Sequence, residues 1–459
     1  RPYCYRIKYQ KMEKSIGFGS SKITQFSIES EDTDLFNPVS VEKNILSGRL
    51  ITIHPQASGD EGPYQFYLPP QGNDQYLQLN SIRLSGDIKI TKPDGTAYAD
   101  ADDYSVTNLA ARSCIRGVEI EINNVLITDL SSFSSHYQTY MQYLLSYSPV
   151  ATWSHMRSQL WKMDTAGQYD VCKKPSSSTS DNQGYGERQK WCKTSNKFDF
   201  YIPLPSDILQ SDRLMYPTAN ISIKLLREDD EFVVLSEKEN FTPKVNLLNL
   251  KMYANYCKVT ESLVKKHQTL FNKYPAIYPI TRTTMKNFHL TKGESSRYFS
   301  NIFMGSVPKS IIIGLVDDEA ACGTVKKNLY NFQHFKYKLG YLKINGEIVP
   351  TEPLSPDFTN NKFTREYMEL HRNIGIDSNQ DHGSVITMEQ YAGGCFFIAY
   401  DQTGHKCNML HRHIPTEGNV DLSMTFEEAL PVNVRVIVYA TSDAQVELSK
   451  NNGVTVKYF

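Results

Sequence analysis

The 459-residue chain carries 49 Lys and Arg against 50 Asp and Glu, a net charge of −1, so no global field draws it to nucleic acid, anionic lipid or other polyanions, and any such contact has to be local. With 40% apolar and 22% charged residues it is not a disordered chain, and its longest clean apolar run, SIIIGLV from Ser310, falls far short of the ~20 residues of a spanning helix. At roughly 100 to 200 residues per domain the length predicts two to four domains, or two large β domains of about 230 each.

The first segment, RPYCYRIKYQKMEKS, is basic and polar and has no apolar h-region, so export by a signal peptide is not expected. Arg1, Arg6, Lys8, Lys11 and Lys14 against Glu13 give it 5 − 1 = +4, while the remainder sums to −5. This basic arm over residues 1–14 can neutralise phosphates without making the whole chain basic; a leader without a role is the other reading. Eight scattered cysteines with no C-x-x-C pair read as reduced thiols rather than a disulfide framework.

From there the chain is strand-rich to its end. Ile82, Leu84, Ile88 and Ile90 alternate, as do Val118, Ile120 and Ile122, then Phe198, Phe200 and Ile202, then Ile221, Ile223 and Leu225, then Leu248, Leu250 and Met252. Each set predicts a strand with one buried face. Beyond residue 275 the same style continues with Ile311–Val316, Leu342 and Ile344, Phe396–Ile398, Leu422, Met424 and Phe426, and Val432 to Val438. The spacing of Tyr137, Tyr140, Met141, Leu144 and Leu145 predicts one helix, and Phe363, Tyr367, Leu370 and Ile374, with Thr364 near the start and Gly375 as a stop, predict a second. A shorter helix from Thr260 joins the halves. Residues 151–195, with CKKPSSSTSDNQGYGERQK, show no hydrophobic period and predict a long exposed loop that contacts something outside.

The order of elements repeats. Ile122-Asn123 matches Ile344-Asn345 at an offset of 222, Tyr140-Met141 matches Tyr367-Met368 at 227, and Val245-Asn246 matches Val432-Asn433 at 187. Two matched halves of about eight strands imply an all-β duplicated sandwich, and a helix inserted at the same point in each half favours two consecutive eight-stranded jelly rolls with short inserted helices and long loops. The expected domains are 1–40 (arm), 41–258 (first jelly roll, with the 151–195 insertion) and 259–459 (second jelly roll).

Chemical motifs are sparse. His405, Cys407, His411 and His413 place imidazole and thiolate donors within nine residues, but H-x-C-x3-H-x-H matches no common zinc spacing, and a loop between two strands accounts for it equally. Asp94, Asp100, Asp102 and Asp103 lack the alternation of a calcium loop and read as a solvated turn; Glu228–Glu231 read as a charged strand end. There is no G-x-S-x-G elbow, P-loop, G-x-G-x-x-G or H-E-x-x-H. The expectation is no enzyme and no cofactor, although a carboxylate pair on separate strands leaves no mark in one sequence.

Over the stretches YQTYMQYLLSYS with Trp161 to Asp164, SDILQSDRLMYPTANISIKLLREDDEF, YPITRTTMKNFHL, VPKSIIIGLVDDEAACGTVKKNLYNFQHF, YLKINGEIVPTEPLSPDF and GNVDLSMTFEEALPVNVRVIVYA, the chain resembles the double jelly-roll major capsid proteins of Polinton/Maverick elements and adintoviruses. The resemblance runs from about residue 40 to the C-terminus. It implies homotrimeric, pseudo-hexagonal capsomers tiling an icosahedral shell around double-stranded DNA. The implied partners are further copies of the chain, penton and minor capsid proteins, and DNA through the arm. Assembly would occur inside the host cell and the protein would reside in the virion, with no membrane span. The competing expectation is a two-domain β-sandwich carbohydrate-binding protein or glycoside hydrolase.

Overall fold

A computed structural model describes residues 42–458 apart from 57–61, 129–134, 177–180, 205, 377–382, 404–414 and 452. Two sets of eight strands carry the architecture among the described residues. The first comprises β1 (Ile45–Ile53), β2 (Tyr64–Leu68), β3 (Gln75–Thr91), β4 (Ile115–Ile122), β5 (Val125–Leu126), β6 (Phe198–Pro203), β7 (Ile221–Arg227) and β8 (Lys244–Val259). The second comprises β9 (Ala276–Leu290), β10 (Ser296–Ser306), β11 (Ser310–Asp317), β12 (Tyr337–Ile344), β13 (Glu347–Leu354), β14 (Phe397–Asp401), β15 (Glu417–Phe426) and β16 (Val434–Leu448). The first set forms antiparallel sheets ordered β1-β8-β3-β6 and β2-β7-β4-β5, and the second forms β9-β16-β11-β14 and β10-β15-β12-β13. The two halves thus share one topology strand for strand. Pairing of first with eighth, second with seventh, third with sixth and fourth with fifth is a jelly roll, so the chain is a double jelly roll.

Local chemistry explains the repeat. Along β3 the apolar Ile82, Leu84, Ile88 and Ile90 are all buried while their neighbours are half-exposed, the alternation of a sheet with one face on a core. β4 and β5 are joined by the two-residue turn Asn123-Asn124, and β12 and β13 by Asn345-Gly346; all four residues have positive φ, 50° and 64° in the first turn and 51° and 94° in the second. That is the left-handed conformation a tight hairpin requires and that Asn and Gly tolerate. The continuous run Ile311–Val316 is buried throughout because both faces of β11 are covered. Gly314 within it has no room for a side chain, since a Cβ would lie 2.5 Å from the Phe332 ring.

The predicted helices form as α1 (Ser135–Ser146), α4 (Glu261–Phe271) and α5 (Thr364–Asn373), and to these the structure adds α2 (Pro149–Trp153), α3 (Gln183–Cys192) and α6 (Met388–Ala392). The exposed loop expected over residues 151–195 is not what forms. Its described residues fold into α2, α3 and short 3-10 turns, and bury Trp161, Tyr169, Cys172, Tyr185, Arg188 and Cys192. The segment lacks a hydrophobic period because its buried polar groups, Asp164, Asn182 and Arg188 among them, are satisfied by one another and by both halves rather than by water. The six described cysteines are free, five of them buried.

Candidate assembly surfaces and the buried junction

Arg1, Arg6, Lys8, Lys11 and Lys14 and the His405, Cys407, His411 and His413 group lie outside the described residues. Among the described residues no cluster of His, Cys, Asp and Glu has metal-holding geometry, and no helix is long and apolar enough to cross a membrane. What the structure does bring together is a junction between the halves. Helix α1, which follows the first half's β4–β5 hairpin in the chain, packs in the core of the second: Tyr137, Tyr140, Met141, Leu144 and Leu145 belong to one cluster with Ile311–Ile313, Phe332 and Phe397. Tyr140 stacks on Tyr330 with ring centroids 4.0 Å apart and planes 11° from parallel, and Trp161 also stacks on Tyr140, its ring centroid 5.7 Å away. Buried aromatic contacts of this kind contribute about 0.5–1.5 kcal/mol each beyond the area they cover.

Beside this aromatic block lies a polar one centred on Asp164. Its Oδ1 accepts from Arg188 Nη2 at 2.6 Å and from Asn182 Nδ2 at 2.8 Å, and its Oδ2 accepts from Asn328 Nδ2 of the second half at 3.1 Å. Arg188, wholly buried, also donates Nε to Val106 O at 2.8 Å and Nη1 to Lys162 O at 2.5 Å. Further ties cross to the second half: Gln390 Nε2 to Asp164 O at 2.9 Å, Tyr169 Oη to Gln390 Oε1 at 2.8 Å, and the Asn328 amide and Asn331 Nδ2 to the Asp170 carboxylate at 2.9 and 2.6 Å. A buried charge pair with its remaining donors and acceptors filled fixes one geometry, because any slip strands a charge. The two jelly rolls are therefore held at one relative placement.

A third part of the junction caps the edge of the second half. In the connection from β6 to β7, Asp207 Oδ2 accepts from the backbone amide of Thr283 at 2.8 Å, Arg213 Nη1 donates to Ile277 O at 2.6 Å, and the Tyr216 amide donates to Tyr278 Oη at 2.9 Å. All three partners lie on β9, the outer strand of its sheet. Tyr278, Val446 and Leu448 consequently sit in the first half's core cluster.

The residues Glu228–Glu231, expected as a charged strand end, include one buried carboxylate. Glu228 Oε2 lies 3.7 Å from His136 Nδ1, and both side chains are buried. Burial pushes the Glu228 carboxyl up to about 7 and holds the His136 imidazole neutral down to about 3. Asp103, expected in a solvated turn, accepts from the Lys174 amide at 2.8 Å and from Tyr185 Oη at 3.0 Å, which pins the insertion to the first half.

The outer faces of the two halves differ. On β2-β7-β4 the outward residues pair with each other, Lys224 with Glu119 at 2.9 Å, Gln65 with Ser222 at 3.2 Å and Tyr67 with Asn220 at 3.2 Å. On the matching sheet of the second half the outward row holds Tyr298, Met304, Leu339 and Ile348, all exposed, Met304 by 74%. Val150 and Trp153, one turn apart on α2, are also exposed, Trp153 by 73%. Contiguous exposed aromatic and Met side chains mark contact surfaces, whereas apolar residues scattered singly do not.

No family model matches the chain. Its sequence is 22% identical over 396 residues to an uncharacterized protein of Caenorhabditis elegans, spanning 83% of this chain and 90% of that one. Among solved structures it is similar to a chain of the Sputnik virophage (TM-score 0.64, 10% identity, 97% of this chain and 94% of that chain). It is similar also to the PBCV-1 virus capsid (0.55, 10%, 92% and 99%) and to the mavirus major capsid protein (0.53, 11%, 98% and 97%). The chain has the fold of the double jelly-roll capsid proteins. The likeness spans nearly the whole of each chain, so the duplication, and not one barrel alone, is what is shared.

Proposed function

We propose that this chain is a major capsid protein whose work is assembly rather than turnover. Three copies supply six jelly rolls to a pseudo-hexagonal capsomer, and capsomers tile an icosahedral shell around double-stranded DNA in a virion. One observation carries the reading: two barrels of identical topology, β1–β8 and β9–β16, are joined by the Asp164 junction. A chain of this shape, joined head to tail through a 120° rotation, closes as a C3 ring of six near-equal units. The exposed apolar groups on the second half's outer sheet and on α2 supply contact surface between capsomers, while the interface that closes the ring, as an obligate one, runs to about 2,000 Å² or more and is apolar at its centre. The arm, residues 1–40, faces DNA or ties capsomers together, and penton and minor capsid proteins complete the particle. The Polinton/Maverick and adintovirus capsid proteins are the group the sequence resembles.

Light scattering coupled to size exclusion, with negative-stain images of the same fraction, tests the proposal. A species of about 3 × 52.4 = 157 kDa with a hexagonal outline is expected. A 52.4 kDa monomer that never assembles across salt and pH overturns it.

A further inference from the structure

The junction inside one chain is a template for the contact between chains. Both halves begin with an outer strand paired to the eighth strand: β1 to β8 and β9 to β16. Aligning β8 and β16 on Val245-Asn246 and Val432-Asn433 places Met252 on Tyr439 and Val259 on Val446. Through the pairings Ile53 with Met252, Met285 with Tyr439, Ile45 with Val259 and Tyr278 with Val446, β1 then overlies β9 with Ile53 on Met285 and Ile45 on Tyr278. The one-residue difference in length between these points is taken up by the irregularity between Ile45 and Ser47.

The two positions have opposite surroundings. Tyr278 is 3% exposed, covered by the first half of its own chain, and the edge of β9 is capped by Asp207 and Arg213. Ile45 is 43% exposed, and next to it Leu46 is 61% and Leu50 58% exposed. Of the nine residues of β1, Arg49 alone is charged. Natural sheets blunt a free outer strand with charge, proline or a bulge; β1 has one charge, Arg49, and one irregularity, between Ile45 and Ser47, and still leaves Leu46 and Leu50 exposed, and an apolar outer strand left open is a template for another chain.

We infer that the β1 edge, centred on Ile45, Leu46 and Leu50, is the docking surface for the second half of a neighbouring copy, repeating between chains the contact the first half makes with β9 within a chain. The inference rests on the proposed trimer and names the surface that closes it. Among the described residues each copy has one capped first strand and one open one, so a head-to-tail ring of three leaves none open, whereas a two-fold dimer would have to pair this edge with itself.

The test compares the full chain with Leu46→Asp/Leu50→Asp and with Met304→Asp, a charge of the same kind on the opposite sheet, together with a chain lacking residues 1–40. All four are measured by light scattering and thermal melting. The expected result is a trimer for the full chain and a 52.4 kDa monomer for the double variant, still folded with a cooperative melt that is lowered only by loss of the trimer's mass-action stabilisation and no longer depends on protein concentration, the dissociation constant rising on the order of 30-fold or more. Met304→Asp and the chain lacking 1–40 are expected to remain trimeric. A double variant that stays trimeric overturns the inference while leaving the trimer standing, and so does loss of the trimer only when residues 1–40 are removed, which would make the arm the occupant of this edge. A monomeric full chain overturns the capsid reading itself.

Discussion

Asp164→Ala is the sharpest perturbation of the junction. It removes the acceptor of three hydrogen bonds, from Arg188, Asn182 and Asn328, and leaves a guanidinium with no solvent exposure lacking its counter-charge. Breaking a buried pair from one side costs about 3–5 kcal/mol. An unfolding entropy of about 2.1 cal/mol/K per residue gives roughly 1 kcal/mol/K for the 459 residues, so the melting temperature should fall by about 3–5 °C if the halves unfold together. Calorimetry is the assay, because loss of the lock should also split one transition into two. The double variant Asp164→Leu/Arg188→Met removes both charges and should recover at least half of the loss. A single variant within about 1 °C of the parent, or a double variant no better than the single, would refute the view that a desolvated charge pair holds the halves in place.

Gly184 in α3 offers a backbone test of the same junction: a Cβ there would lie 2.3 Å from the Met163 carbonyl oxygen, so Gly184→Ala should cost about 1–3 kcal/mol, read as a shift in denaturant midpoint, even though alanine favours helices. The Glu228 and His136 pair sets a pH profile. His136, lowered from 6.5 to about 3 in the fold, withdraws stability as pH falls below 6.5, and Glu228, raised from 4.5 to about 7, withdraws it as pH rises from 4.5 through 7. The opposing slopes cancel between about pH 4.5 and 6.5; Glu228→Gln should therefore flatten the melting temperature between pH 6.5 and 8, and an unchanged slope there would show that its burial is not the cause. Trp161→Phe, at a buried ring stacked on Tyr140, should lower stability by about 1–3 kcal/mol, while Trp153→Phe on the surface of α2 should stay within about 0.5 kcal/mol; chemical denaturation of both decides.

The strands were legible because burial on one side writes itself as alternation, and Ile82, Leu84, Ile88 and Ile90 show it without help from context. The helices at Tyr137 and Phe363 were legible for the same reason: local pattern fixes them. The duplication followed from their order. The insertion was not legible, since its partners are remote: Asn328 is 164 residues from Asp164, and Gln390 is 226. A polar segment whose donors and acceptors close on each other inside a protein has the composition of a solvated loop, and only Trp161, Tyr169 and Tyr185 hinted otherwise. Glu228 misled in the same way, as one buried carboxylate inside a run of four acids.

Duplication also lets one chain do what a single repeated barrel cannot. A ring of six identical barrels must use the same outer sheet at every position, so each face serves all contacts alike. Here the β2-β7-β4-β5 sheet of the first half pairs Lys224 with Glu119 and Gln65 with Ser222 and exposes Tyr67 and Val125, while the matching sheet of the second half exposes Tyr298, Met304, Leu339 and Ile348. The same division applies to helices after the fifth strand: Tyr140 and Met141 are buried in the other half, whereas their counterparts Tyr367 and Met368 leave Met368 exposed. One copy of each element has been committed to locking the halves, and the other has been freed to face outward. In the proposed capsomer, that asymmetry on a symmetric topology would leave the ring with three-fold rather than six-fold symmetry.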